Sequence, residues 1–460
     1  MNKDSILIRG GRIVDPGRGV DMVGDVLVRD GRIAAAGERV DGAGAAGAHV
    51  IDAKGLVVCP GLVDIHCHLR DPGFEYKETI ETGTRAAAHG GFTTVCCMPN
   101  TNPPADSRAT VEYILRTAAA TASVRVLPIG CVSKGRRGKE MAELGDLAAA
   151  GVVAFSDDGA PIADAALMRR ALEYCRALDL PVSDHCEEPA LAHDGVMHEG
   201  WVAARLGLHG QPAAAEEAMV ARDIALAELT GSRVHIAHVS TAGSVELVLR
   251  AKARGLPVTA EVTPHHLTLT HESVMSSPSL PDGLAYDTNA KVMPPLRTAD
   301  DVAACVEGLR DGTIDAIATD HAPHAPVDKL CEFDDAPSGI VGFETALALV
   351  LSLVHDGKLD LPTLIQRMTA GPVAAFGLER HDPDGQGGLA GLGSLATGAP
   401  GDVLVFDPNA EWTVEPESFA SKGRNTPLAG RVLKGQAVTT IFGGLVIFSS
   451  DAKEAGIGTV

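Results

Sequence analysis

Eight times along the middle of the chain, a short run rich in β-branched residues gives way to a helical stretch or a long loop. The runs are GLVDIHCHL, TTVCCMP, RVLPIG, GVVAFSDDG, PVSDHCE, VHIAHVS, VTAEVTPHH and DAIATDHAP. Between them lie Ala-rich segments such as ADAALMRRALEYCRALD and EEAMVARDIALAELTG, which carry apolar residues at helical spacing. Strand–helix alternation repeated eight times is the pattern of an α/β fold of the (β/α)8 barrel kind. A doubly wound open sheet would be expected to show a Gly-rich phosphate turn after its first strand, and GLVDIHCHL is followed by none.

The two ends read differently. SILIRGGRIVDPG and DVLVRDGRIAAAG alternate apolar residues before turn signals, and GDVLVFDP and AGRVLKGQAVTTIFGGLVIF repeat that style near the other terminus. The predicted organisation is a small composite β-sandwich drawn from residues 1–58 and 391–460, flanking a catalytic barrel at 59–390. Residues 41–48, DGAGAAGA, are an expected flexible loop, and the residues after about 449 an expected tail.

The 460 residues suit such a barrel with a smaller companion. With 45% hydrophobic and 22% charged residues the chain can bury a sizeable core, but at 3% aromatics that core must be aliphatic. The balance of 39 basic and 60 acidic residues leaves −21. That field argues against nucleic acid or an anionic membrane as partner, and obliges any anionic substrate to find a local cluster of cations. The nine cysteines show neither zinc-finger spacing nor a disulfide framework, which places the expected location in the reducing cytoplasm. The longest apolar helical stretch, around 346–354, is about half the roughly 20 residues a bilayer span requires.

In a barrel the chemistry sits at the carboxyl ends of the strands. His66 and His68 on the first strand are two residues apart, so both imidazoles share one face and one metal ion. A lone His-x-His is a weak signal. Here the fourth strand ends in Asp157-Asp158-Gly159, the fifth in His185, the sixth in His238 and the eighth in Asp320. Imidazole and carboxylate donors suit Zn2+, and a carboxylate-bridged metal pair lowers the pKa of bound water from near 16 to about 7. Asp320 is placed to accept that water's proton and pass it to a leaving nitrogen. Asp-Gly is also a common turn signal, so the Asp157–Asp158 pair has a purely structural rival reading. His265 and His266 follow Pro264 and are expected to be structural.

The runs PGLVDIHCHLRDPG, MPNTNPP, AFSDDG, DHCE, IAHVSTAGSVELV, EVTPHHLTLT, MPPLR and ATDHAPH together resemble the amidohydrolase superfamily, and within it the long, two-domain bacterial dihydroorotases. GSLATGAPGDVLVFDP resembles that family's return into the small domain, so the likeness spans nearly the whole chain. The resemblance implies one or two zinc ions per subunit. His66, His68 and Asp320 would hold the first and His185 and His238 the second, with Asp158 as bridge and Asp157 as the weaker choice. In hydantoinases and dihydropyrimidinases the bridge is a carboxylated lysine, and the fourth-strand end here offers only the aspartate pair. The implied reaction is the reversible closure of N-carbamoyl-L-aspartate to (S)-dihydroorotate in pyrimidine biosynthesis, with Asp320 as the catalytic proton shuttle. Arg70 would fork onto the substrate carboxylate, joined by His68, Asn100 and His324.

Two positions depart from the family's pattern. Met293 stands where an Asn contacts substrate, so either a neighbour such as Asn289 supplies the contact or the substrate is held differently. An Asp328-Lys329 pair replaces Glu-Lys in residues 327–339, an expected mobile lid whose end brings Ser338 and Gly339 to the substrate. The resemblance leaves two other readings: a hydantoinase-like or allantoinase-like hydrolase, and an inactive scaffold for aspartate transcarbamoylase. The four histidines argue against the scaffold alone, though association with that enzyme is compatible with activity, as is a homo-oligomer.

Overall fold

The computed structural model describes residues 5–40, 47–275, 286–381 and 389–450. Most of the expected loop at 41–48 and nearly all of the expected tail lie outside the described residues.

The N-terminal strands are β1 (Ser5–Asp15), β2 (Val20–Arg29), β3 (Arg32–Gly37), β4 (His49–Asp52) and β5 (Val57–Pro60). Barrel strands follow as β6 (Leu62–Cys67), β7 (Phe92–Cys97), β8 (Arg125–Pro128) and β9 (Val182–Asp184). A short parallel pair, β10 (Met197–His198) and β11 (Gly210–Gln211), precedes β12 (Val234–Ile236), β13 (Val258–Val262) and β14 (Ala316–Ile317). The C-terminal strands are β15 (Val403–Thr413), β16 (Val432–Phe442) and β17 (Leu445–Ser449).

The barrel closes through backbone pairing that is parallel throughout. β6, β7 and β8 form one arc, and β9, β12, β13 and β14 form the other. Phe155 joins them by bridging Gly130 on one side and Val182 on the other, and His321 bridges back to Cys67. GVVAFSDDG is therefore the fourth strand, reduced to a single bridging residue. Its neighbours still bond across, with Val153 N donating to Pro128 O at 3.0 Å and Ser183 N to Phe155 O at 2.8 Å.

Helices return the chain between strands, and their starts follow from side-chain capping. Thr79, Ser107, Asp164, Thr241 and Thr298 each accept a backbone N–H from the first turn that follows, which satisfies a donor left without a helical partner. ADAALMRRALEYCRALD folds as helix Ala165–Leu178, and EEAMVARDIALAELTG lies within helix Ala214–Thr230, stopped by Gly231 at φ 65°. No helix among the described residues is long and apolar enough to cross a membrane. All nine cysteines are free thiols, and Cys331 alone is exposed.

Both chain ends build one continuous eight-stranded sheet in the order β17-β16-β15-β5-β1-β2-β3, with β4 also paired to β1. A register shift between Ile8 and Gly11 interrupts β1, which pairs with β4 before it and β5 after it. Ile6, Ile8, Ile13, Val26, Val28, Ile33, Val403, Val405 and Ile441 form the aliphatic interior of this domain. Opposite faces of β15 serve different cores. Leu404 and Phe406 belong to the barrel's main cluster with Phe92 and Phe343. Leu404 lies so close to Gly91 that a Cβ there would stand 2.7 Å from its Cδ2.

Leu404 is fully buried at this junction, so Leu404→Ala should destabilise the protein by roughly 2–5 kcal/mol. The midpoint of urea unfolding reads this. An unchanged midpoint would mean that the sheet does not share the barrel's core.

Candidate metal centre

β6 delivers His66 and His68, and β14 runs on to Asp320. Their polar atoms lie within 4.8 Å of one another, and the same holds for His66, Asp158 and His238. Asp158 stands among all four histidines. Its Oδ1 is 3.4 Å from His66 Nε2, 3.3 Å from His238 Nε2 and 3.6 Å from His185 Nδ1, while Oδ2 is 3.5 Å from His68 Nε2. Asp320 Oδ1 is 2.9 Å from His68 Nε2 and 3.6 Å from His66 Nε2.

The outer partners fix which imidazole nitrogens face inward. His66 Nδ1 donates to Glu261 Oε1 at 2.6 Å, and His68 Nδ1 donates to Asn100 Oδ1 at 2.9 Å. Both Nε2 atoms then face carboxylates. His66 Nε2 is buried and makes no hydrogen bond. His185 Nδ1 and His238 Nε2 meet at 2.9 Å. Acceptors gathered against acceptors out of water need positive charge between them. The donor set therefore fits divalent cations with nitrogen and oxygen preference. The same crowding moves the acidities. Burial opposes charge on His66, but Asp158 and Glu261 outweigh it and hold that imidazole well above its ordinary pKa. Burial likewise opposes Asp158, yet the surrounding imidazoles hold it well below the carboxylate range.

Asp157 is turned elsewhere. Its Oδ1 accepts from Val132 N at 2.9 Å and Ser133 N at 3.0 Å, and its Oδ2 accepts from the Ser133 hydroxyl. Arg136 caps the same turn, donating to the carbonyls of Asp157 and Asp158. The guanidinium thus fixes the backbone that carries Asp158.

A cavity of about 370 Å³ opens over these groups and is lined by His68, Arg70, Asn100, Asp158, His324 and Gly339 among others. Ser338 and Met293 also face it, and Asn289 does not. The expectation for Asn289 is corrected: its backbone N–H bonds Asp287 Oδ1 in a tight turn, which sets it on a neighbouring cavity with Lys329 and Arg424. Arg70 is half-buried, donates from Nε to Pro323 O at 3.2 Å, and is brought down by desolvation to about 10, so it stays cationic at neutral pH. His324 sits between cations. Burial, then Arg70, Lys329 and Lys77, push it down to about 2 and keep it neutral, with Nδ1 accepting from Lys77 at 3.2 Å and Nε2 donating to Ser338 O at 2.9 Å.

Residues 327–339, the expected lid, are tied down in this structure by two lysines. Lys329 Nζ donates to Thr288 O and Pro337 O, and Lys291 Nζ to Phe333 O and Asp334 O. Two buried ammonium groups, each holding two carbonyls, make this segment a wall.

Four polar residues about the site were missed in the sequence. Glu261, Arg136 and Lys77 act on site groups as described, and Glu187 Oε2 lies 3.8 Å from His185 Nε2. A glutamate inside the apolar run VTAEV was the available signal for the first; the others read as ordinary loop charges. Of the two histidines set aside, His266 is held by Thr263 and Pro294, while His265 is buried with no partner on Nε2.

The profile of the Dihydro-orotase-like family matches residues 55–244. The chain is 54% identical to the Dihydroorotase of Anaeromyxobacter dehalogenans (strain 2CP-C) over 444 residues, covering 96% of this chain and 98% of the relative. The chain belongs to the dihydroorotase family. The Dihydroorotase of Pelotomaculum thermopropionicum is also 54% identical, over 96% of this chain and 98% of its own. Among solved structures, the chain superposes on the L-hydantoinase (dihydropyrimidinase) from Arthrobacter aurescens with a TM-score of 0.84 at 25% identity, covering 97% and 96% of the two chains.

His185→Ala should lower the metal content per chain measured by elemental analysis, because one of the two meeting imidazoles is removed. An unchanged stoichiometry would mean that His185 is not a ligand.

Proposed function

We propose that the protein is a zinc-dependent dihydroorotase that interconverts N-carbamoyl-L-aspartate and (S)-dihydroorotate in the cytoplasm. The observation that carries the reading is the position of Asp158, 3.3–3.6 Å from four imidazoles carried by three strands, in a chain whose relatives are dihydroorotases. His66, His68 and Asp320 would hold one ion and His185 and His238 a second, with Asp158 placed to serve both. The zinc ions supply Lewis acidity, which acidifies water and polarises the ring amide carbonyl. The barrel at 59–390 supplies these groups, and the 1–58 and 391–460 segments supply the supporting domain.

Asp320 carries the proton. In ring opening the water oxygen bonds to the carbonyl carbon, the carbon–nitrogen bond breaks, and the proton from water reaches the leaving nitrogen through Asp320. Asp320 is a carboxylate at neutral pH: burial opposes its charge, but His68 and His66 outweigh that and hold its pKa low. Arg70 pairs with the substrate carboxylate, and Asn100 and the neutral His324 complete its polar cradle. Arg70, Lys77 and Arg136 provide the local positive field that a chain of charge −21 requires to admit an anion. Ser338 and Gly339 extend the same wall beside His324. A fourth-strand end with aspartates and no lysine favours this substrate over hydantoin or allantoin.

Asp320→Asn should retain part of the metal and lose most turnover, on the order of a hundredfold or more in kcat. Near-wild-type rates would refute the proton role. Ring-opening assays on dihydroorotate, hydantoin and allantoin test the substrate: activity is expected on the first, and a clear preference for either of the others would overturn the assignment.

A further inference from the structure

We infer that Asn425, which lies outside the barrel on the C-terminal stretch between β15 and β16, is a positioning residue for the substrate-facing wall of the cavity. The inference rests on the dihydroorotase reading of that cavity. The wall is made by two separate backbone segments, Ala322–His324 beyond the eighth strand and Ser338–Gly339. Asn425 ties them together. Its Nδ2 donates to Ala322 O and to Gly339 O, both at 2.9 Å, and its Oδ1 accepts from His324 N at 2.9 Å. Its own carbonyl accepts from Val341 N at 3.0 Å. The residue is 2% exposed, so each of these bonds is made away from water.

The chemistry selects a primary amide. Two carbonyls on one side require two N–H donors, and a backbone N–H on the other requires an acceptor. Aspartate of the same size would set an oxygen against both carbonyls, and leucine would leave all three groups unsatisfied. The post is itself rigid. Glu344 accepts from Ala420 N at 2.9 Å, while Glu78 accepts from Lys422 N at 3.1 Å and from the Ser421 hydroxyl. Gly423 approaches the loop so closely that a Cβ would meet Pro323 Cβ and Val341 Cγ1 at 2.7 Å. The C-terminal segment is therefore locked to the loop ahead of helix Ile80–His89 and to helix Phe343–His355, and from there it sets the spacing between His324 and Gly339.

Asn425 makes no recorded bond to any of the six proposed metal donors, so its loss should act on substrate binding before it acts on metal. The test uses the full-length, metal-loaded protein with dihydroorotate as substrate, comparing wild type, Asn425→Ala and Asn425→Ser. Metal content and the unfolding midpoint are measured beside kcat and KM. The expected result is wild-type metal content, a KM raised about tenfold or more, and a kcat within about threefold of wild type. If the alanine variant does not fold, the serine variant, which retains one donor, is read in the same way. A KM unchanged in a folded variant overturns the positioning role, and so does a fall in kcat that tracks metal loss at constant KM. A wild type that turns over dihydroorotate while the variants match it sinks this inference alone. A wild type inert towards dihydroorotate sinks the substrate reading, and this inference with it.

Discussion

Six ionisable side chains that are almost entirely withdrawn from water share one end of the barrel, and the rest of the structure accommodates that fact. Two carboxylates and four imidazoles cannot be buried at these distances without compensating positive charge. Protons can supply some of it, as the raised affinity of His66 shows, but the inward-facing Nε2 atoms of His66 and His68 are set by partners outside the cluster. A cluster built so that its acceptors face each other is organised around cations.

That organisation extends outward in layers. Glu261, reaching from β13, joins His66 to His235, and burial notwithstanding those two imidazoles lower it to about 2. Asp64 accepts from both the N–H and the hydroxyl of Thr319, the residue before Asp320, and so joins the first strand to the eighth at the point of barrel closure. Arg136 holds the carbonyls on either side of the turn that presents Asp158. Glu261 thus holds His66, Asp64 the residue before Asp320, and Arg136 the backbone that carries Asp158. Precision of this kind is what a reaction dependent on placing water, carbonyl and proton acceptor requires.

The fold was largely legible because its two periodicities are strong. Alternation of strand and helix survived even where the fourth strand shrank to Phe155, since GVVAFSDDG still carries an apolar run before a turn. The meeting of His66, His68, His185, His238 and Asp320 was legible from one rule, that residues at strand ends share a rim. What the sequence left open depended on local backbone geometry. Asp157 and Asp158 are chemically identical neighbours, and the loop amides of Val132 and Ser133 decide which one turns away. Asn289 was misplaced because its turn with Asp287 cannot be read from spacing to Met293. Residues 327–339 read as a loop from their polar composition. The carbonyls that Lys291 and Lys329 hold are invisible in a string of residue types.

The account stands on Asp158 as the carboxylate common to both donor sets, and metal content per chain is its most direct measure. Asp158→Ala should lose most bound metal while Asp157→Ala, if folded, keeps it. Full metal occupancy in Asp158→Ala would contradict the account.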